Sequence, residues 1–311
     1  MKQLLLLFLA ASLLTAAAGR ANAQVQRQND NLTIFFTSDV QGKVTSCGCP
    51  ILDLGGVTHR EAFLDTLRST GWKFLSLDAG GIFPFGTLDA RERIGVEHLA
   101  QAMALMDFDG IALGDNDLAQ GPDEVAHLLE LLEQPVIASN YSFPDTARFP
   151  SVASRIVQVR EPVVGVVAFL DPKLVTEKHD WLEVEPWDRQ HDLVKELRGQ
   201  VDVLVAMAAV ADSARLVTLS EIYPEVDLII GSHRGELPAN LIRTGDTYAI
   251  GGGLEGKYLG RVEVSFDEAG AVADIQSTFL GVIKEWGRRH NIDRIVNDYH
   301  RKVRTLLMNG G

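Results

Sequence analysis

The sequence predicts an α/β fold. Short β-type runs alternate with helix-patterned segments along most of the chain, and the last third adds β-runs with no helix between them. No internal repeat, low-complexity tract or long linker interrupts the pattern. That predicts one domain over 31–285 and a C-terminal helix, 286–311, packed on it.

Strands are expected at 32–37, 74–77 and 110–113, each followed by a helix, at 57–67, 94–106 and 122–132. The third helix has Pro122 at its first position and Asp123 and Glu124 in its first turn, which suits a helix N-terminus. Apolar runs predict strands at 136–138, 154–159, 163–169, 203–208 and 228–230, with helices at 192–197 and 214–222. Further strands are expected at 247–250, 261–266 and 272–279. A last helix is expected over 292–307, where Ile292, Ile295, Val296, Tyr299, Val303, Leu306 and Leu307 share one face.

The first residues address the chain. Met1-Lys2-Gln3 precedes an apolar run to Ala18, and Ala21-Asn22-Ala23 has the A-x-A cleavage pattern, so 1–23 reads as a signal peptide cut after Ala23. Residues 24–30 read as a flexible start. The apolar run is short for a bilayer span, which predicts a periplasmic or secreted protein with no membrane anchor after cleavage. Cleavage removes Lys2 and Arg20, leaving 27 basic against 42 acidic side chains and a net charge of −15. Such a surface repels nucleic acid. The expected partners are a periplasmic protein or a small thiol or sulfur compound.

Cys47 and Cys49 are the only cysteines in 311 residues. Two of them rule out a disulfide scaffold, and a bridge between neighbours this close is strained and easily reduced. Cys47-Gly48-Cys49-Pro50 stands among polar residues, where a pair of buried thiols is not expected. Two thiolates can hold a soft ion such as Cu(I) or Zn²⁺, or cycle between dithiol and disulfide. Lys43 is either a solvated lysine or a group that lowers a thiol pKa. Ligands of open α/β sheets gather at the carboxyl ends of strands. Those ends collect Asp39, Gln41, Gly80-Gly81, Asp115-Asn116-Asp117, Ala209 and His233-Arg234-Gly235. Asp117 is expected to cap the helix starting near Pro122, or to orient Arg234. His233 is either a site residue or a histidine bonded to its own loop.

This order of loops resembles the 5′-nucleotidase (calcineurin-like) metallophosphoesterase superfamily over about residues 31–285. "TSDVQG", "LDAGG", "LGDNDLAQG", "ASN", "VDLIIGSHRG" and "GKYLGRVEVSFDEAG" follow its motifs in order. The resemblance implies a four-layer α/β/β/α sandwich and, at these loops, two metal ions with a histidine assisting catalysis. Carried over by position, Asp39 and His233 match ligands and Asp115 stands for a ligand asparagine. Gln41, Ala209 and Gly235 replace ligand histidines, Gly81 the bridging aspartate, and Asn116 the catalytic histidine. What remains implies at most one ion (Cu, Zn or Mn) on Asp39, Asp115 and His233, with Cys47 and Cys49 nearby. The larger members add a nucleotide-recognition domain, which is not expected here. Exported relatives share the C-G-C loop, some with selenocysteine, which implies reactivity there. The expected function is thiol redox or sulfur-related chemistry at Cys47 and Cys49, with Asn116 beside them. The alternatives are soft-metal binding or delivery, a one-metal phosphoesterase or sulfur-ester hydrolase, and a non-catalytic accessory protein.

Overall fold

The computed structural model describes residues 31–309. The expected signal peptide and flexible start, 1–30, lie outside the described residues. None of the described helices is long and apolar enough to cross a membrane.

In chain order the first half contains strand β1 (Leu32–Thr37), helix α1 (Val57–Ser69), β2 (Leu75–Asp78), α2 (Ala90–Ala104), β3 (Gly110–Ile111), α3 (Asp115–Leu118) and α4 (Pro122–Leu132). Four small strands follow or flank the middle: β4 (Val136–Ile137), β5 (Tyr141–Ser142), β6 (Ser151–Val152) and, later, β9 (Glu183–Val184). Between and after them run β7 (Ser154–Gln158), β8 (Val163–Leu170), α5 (His191–Arg198), β10 (Val203–Ala209), α6 (Ser213–Ile222) and β11 (Leu228–Ser232). The chain closes with β12 (Ile242–Thr244), β13 (Thr247–Gly251), β14 (Tyr258–Phe266), β15 (Val272–Gly281) and α7 (His290–Met308).

Two large sheets result, with strand orders β15-β14-β1-β2-β3 and β12-β13-β11-β10-β8-β7. Period-two alternation sorts their side chains into layers. Leu32, Ile34, Phe36, Leu75 and Leu77 of the first sheet meet Val164, Val166, Val203, Val205, Leu228 and Ile230 of the second in one apolar core. The opposite faces take helices: Phe35 packs beneath α1, and Leu204, Ala206 and Ile229 beneath α5 and α6. The order is helix, sheet, sheet, helix, the sandwich that the resemblance implied. At the carboxyl edge the Ser232 hydroxyl donates to the Ala79 carbonyl at 2.7 Å, stitching one sheet to the other.

Several boundaries differ from expectation for physical reasons. Helix α2 starts four residues early because the Asp89 carboxylate takes the Glu92 N–H while Glu92 takes that of Asp89, a complete capping box. The two-residue strands β5, β6 and β9 and the short β12 are too brief to carry a periodic signal. In α7 only Ile292 and Val296 are fully buried, and Leu307 is 64% exposed, so the apolar face stops short of the last turn.

Candidate functional site

The carboxyl ends of β1, β2, β3 and β11 deliver three buried carboxylates and one histidine to a single edge. Burial sets their chemistry. Asp39, in a left-handed backbone conformation (φ 51°), accepts from the Ser38 hydroxyl at 3.0 Å. Loss of water pushes its pKa up to about 7, against the pull of Ser38 and of the Gly235 and His233 backbone. Asp78 accepts from the Thr37 hydroxyl (2.6 Å) and Gly80 N–H (3.1 Å), and burial raises it to about 6. The fully buried Arg60 guanidinium opposes that rise.

Asp117 corrects an expectation. Helix α4 begins after Gly121 with no side-chain cap, and the Asp117 carboxylate instead accepts three backbone N–H groups. These are Gly81 (2.9 Å), Gly114 (2.7 Å) and Phe83 (2.8 Å), and burial still raises its pKa to about 7. It fastens the loop after β2 to the loop after β3. Nor does it orient Arg234, whose guanidinium lies over the Phe85 ring at 4.2 Å.

The remaining expected residues separate into two places. His233 Nδ1 lies 3.6 Å from Asp115 Oδ1 and is buried with no hydrogen-bond partner. Asn116 donates its amide to the Phe83 carbonyl, and Asp115, Asn116 and Arg234 line a hollow of about 510 Å³. Cys47 and Cys49 are exposed free thiols in another cleft, also about 510 Å³, lined by Gln41, Thr45, Arg91, Glu255 and Lys257 among others. The single-ion set of Asp39, Asp115, His233, Cys47 and Cys49 is not assembled. Among the described residues no group of three or more His, Cys, Asp or Glu side chains converges as a metal requires.

The residues present do not fit a two-metal centre either. A Cβ at Gly81 (φ 76°) sits 2.6 Å from Asp39 Oδ1 and 2.8 Å from Asp39 Cα, so this backbone has no room for a bridging carboxylate. A Cβ at Gly235 meets the Leu254 side chain at 2.7 Å. Ala209 packs in an apolar cluster with Leu170 and Ala138. The buried carboxylates already spend lone pairs on the chain's own N–H and O–H groups, leaving less for a dication.

The cysteine loop is a pinned hairpin. Cys47 N–H donates to the Leu54 carbonyl (2.8 Å), Ser46 pairs with Gly55 as an antiparallel bridge, and Gly55 N–H donates to the Val282 carbonyl (2.9 Å). Asp53 takes the Gly48 N–H at 2.7 Å and the Ser46 hydroxyl at 3.0 Å. Gly48, at φ 68°, supplies the left-handed turn between the two cysteines. The Cys47 thiol is within donating reach of the Leu52 carbonyl (3.6 Å) and the Asp53 carboxylate (3.8 Å), and the neighbouring Cys49 thiol draws Cys47 below the ordinary thiol pKa while Cys47 holds Cys49 above it. The nearby cation is Lys257, which favours the Cys49 thiolate and is itself held by Glu255 at 2.6 Å. Lys43 pairs with the same Glu255 at 3.5 Å. Sequence reasoning missed Lys257 and Asp53: one lies over 200 residues away, and the other looks like an ordinary turn residue.

Comparison with known proteins adds kinship. No family model matches the chain. It is similar to a snake venom 5′-nucleotidase of Naja atra, 24% identical over 78% of this chain and 51% of that one. Its fold is similar to a 5′-nucleotidase precursor from Thermus thermophilus (TM-score 0.75, 20% identity, 89% of this chain and 60% of that one). The sulfate thiohydrolase SoxB of Thermus thermophilus is another structural neighbour (TM-score 0.71, 18% identity, 86% and 60%). The chain spans about half the length of the curated relatives it matches.

Proposed function

We propose that this chain, which is of the 5′-nucleotidase and calcineurin-like metallophosphoesterase superfamily by fold and by sequence similarity, is an exported thiol-redox protein acting through Cys47 and Cys49. The observation that carries the reading is the pair of exposed free thiols, one residue apart on a pinned hairpin. Export rests on the A-x-A pattern at Ala21-Asn22-Ala23 and agrees with a structural neighbour named as a precursor.

The neighbouring Cys49 thiol lowers the Cys47 pKa, which favours Cys47 as the attacking thiolate. Cys47 attacks one sulfur of a partner disulfide; that S–S bond breaks, a mixed disulfide forms and one partner thiolate leaves. Cys49 then attacks the Cys47 sulfur, closing the intramolecular disulfide and expelling the second partner thiolate. Two electrons pass to the partner, and the two thiol protons end on its two thiols. The same steps in reverse oxidise a partner dithiol. A bridge across one residue is strained, so the reverse direction is strongly driven.

Alkylation followed by mass spectrometry tests this. Exposure to excess diamide, a strong thiol oxidant, should remove two protons from the peptide that holds Cys47 and Cys49, and dithiothreitol should restore them. A Cys47→Ser/Cys49→Ser variant should be inert. Thiols that stay unreactive while near-stoichiometric copper or zinc copurifies would support soft-metal binding instead. Unreactive, metal-free thiols would leave an accessory protein. The orphaned His233 Nδ1 beside Asp115 favours one rival, a hydrolase acting at that edge of the sheet.

A further inference from the structure

We infer that helix α7 is a proton-held clasp that sets one wall of the cysteine cleft, closed while both ring nitrogens of His98 carry protons and loosened when one leaves. The inference rests on the thiol-exchange reading and names a regulation of that site. His98, on α2, is fully buried. Its Nδ1 lies 2.6 Å from the Ile94 carbonyl oxygen, and its Nε2 lies 3.1 Å from Asp298 Oδ2 of α7. A carbonyl and a carboxylate only accept, so each nitrogen must donate, and an imidazole that donates twice is an imidazolium. A neutral His98 has one N–H and sets its other nitrogen lone pair to lone pair against an oxygen. The clasp is therefore complete at lower pH and loses one bond as pH rises. Hydrogen bonding to His98, and after it the charges of Arg301 and Lys302, hold the Asp298 carboxyl below the usual carboxylate range.

The two halves of α7 are held differently. Its start is fastened to α1 without His98: the Thr58 hydroxyl donates to Asp293 at 2.7 Å, and Arg289 pairs with Glu61 at 2.7 Å. Past Val296 no described side chain of the helix is fully buried. There the links back to α2 are His98 with Asp298, Lys302 with Glu97 at 3.1 Å, and the Tyr299 ring, edge-on to His98 with centroids 5.9 Å apart. The charged and titratable groups around the ring are thus Asp298, Tyr299, Arg301 and Lys302 of α7 and Glu97 of α2. Tyr299 also lines the cleft that holds Cys47 and Cys49. Helix α2, which supplies Arg91 and Glu92 to the same cleft, sits directly on the loop after β1. The Gly42 carbonyl oxygen lies only 2.6 Å from where a Cβ of Gly95 would stand. Release of residues 297–308 therefore moves Tyr299 away from a fixed α2 and opens the cleft on that side.

Nitrogen-15 spectra of the histidine rings and amide hydrogen exchange of the full chain test this between about pH 5.5 and about pH 9. Both ring nitrogens of His98 should carry protons at the low end, and one should lose its proton within the range. Across that step, exchange in 297–308 should quicken about tenfold relative to exchange in β10, which reports the whole fold. Asp298→Asn should abolish the step in exchange, because an asparagine amide donates to a neutral ring and keeps both bonds. Thiolate ionisation is common to both proteins, so the wild-type to Asp298→Asn ratio of iodoacetamide rates at Cys47 and Cys49 isolates the clasp. That ratio should rise about threefold over the same range. A ring that keeps one protonation state throughout, a variant that keeps the step, or a constant ratio while 297–308 is released would each overturn the inference. Thiols inert to diamide in a protein whose α7 still responds would remove the thiol-exchange reading, and the regulation with it, while sparing the clasp.

Discussion

At Gly81 the chain shows how a glycine shapes its neighbours. With φ at 76° and Asp39 Oδ1 2.6 Å from its notional Cβ, it lets the loop after β2 close on the loop after β1. Gly81→Asp restores the residue type the resemblance places there, yet it should cost at least about 2 kcal/mol of stability in urea denaturation. Calorimetry with Mn²⁺ or Zn²⁺ should show no tight binding; a stable variant that binds metal would refute the geometry. The three buried carboxyls make a second prediction. Burial raises Asp39, Asp78 and Asp117 from 3.8 to about 7, 6 and 7. Each binds its proton more tightly folded than unfolded, so stability should fall as pH rises from about 4 to about 7. The urea midpoint should be lower at pH 8 than at pH 5; a higher midpoint at pH 8 would mean these groups are stabilised as anions. The sequence made Asp39, Asp115, Asn116 and His233 visible as strand-end residues, and the cysteines visible by their rarity. It could not say that Asp117 turns inward, because three backbone donors from two loops define its place. Polarity alone pointed it to the nearest helix start.

At the level of elements, legibility followed length. Helix α4 and strand β1 have the expected bounds because their apolar periodicity runs unbroken between clear stops. Helix α2 begins early on the Asp89–Glu92 pair, a local capping signal that lies ahead of the apolar pattern. Helix α7 is held by Ile292 and Val296 and by His98 Nε2 meeting Asp298 at 3.1 Å. Ile292→Ala should therefore cost about 2–4 kcal/mol, and Leu307→Ala under about 0.5 kcal/mol. Similar losses at the two positions would mean the helix end is covered in solution. The hairpin at 46–55 makes its own test. Asp53→Ala removes the acceptor of the Gly48 N–H, so amide exchange at Gly48 should quicken by on the order of tenfold, with little change in global stability. Unchanged exchange would show that the turn holds itself.

Across the whole molecule, the α/β class was readable from alternation and the four-layer order from the resemblance, whereas the partition of its polar edge was not. The sandwich brings Asp39, Asp115 and His233 to one rim, yet Cys47 and Cys49, eight and ten residues past Asp39, enter a different cleft. Loop length permits either path; the choice is made by Leu54, Gly55 and Val282. With the metal positions filled by backbone donors and close packing, AMP or p-nitrophenyl phosphate with Mn²⁺, Zn²⁺ or Mg²⁺ should show no turnover near about 1 s⁻¹. Turnover at that rate, lost in Asp39→Ala, would restore the hydrolase reading. The bond from Gly55 N–H to the Val282 carbonyl has a consequence in time as well as space. Residue 55 leaves the ribosome long before residue 282, so the thiols acquire their fixed setting only after residue 282 has emerged. Until then they are two cysteines on a nascent polypeptide without the bond that fixes their hairpin.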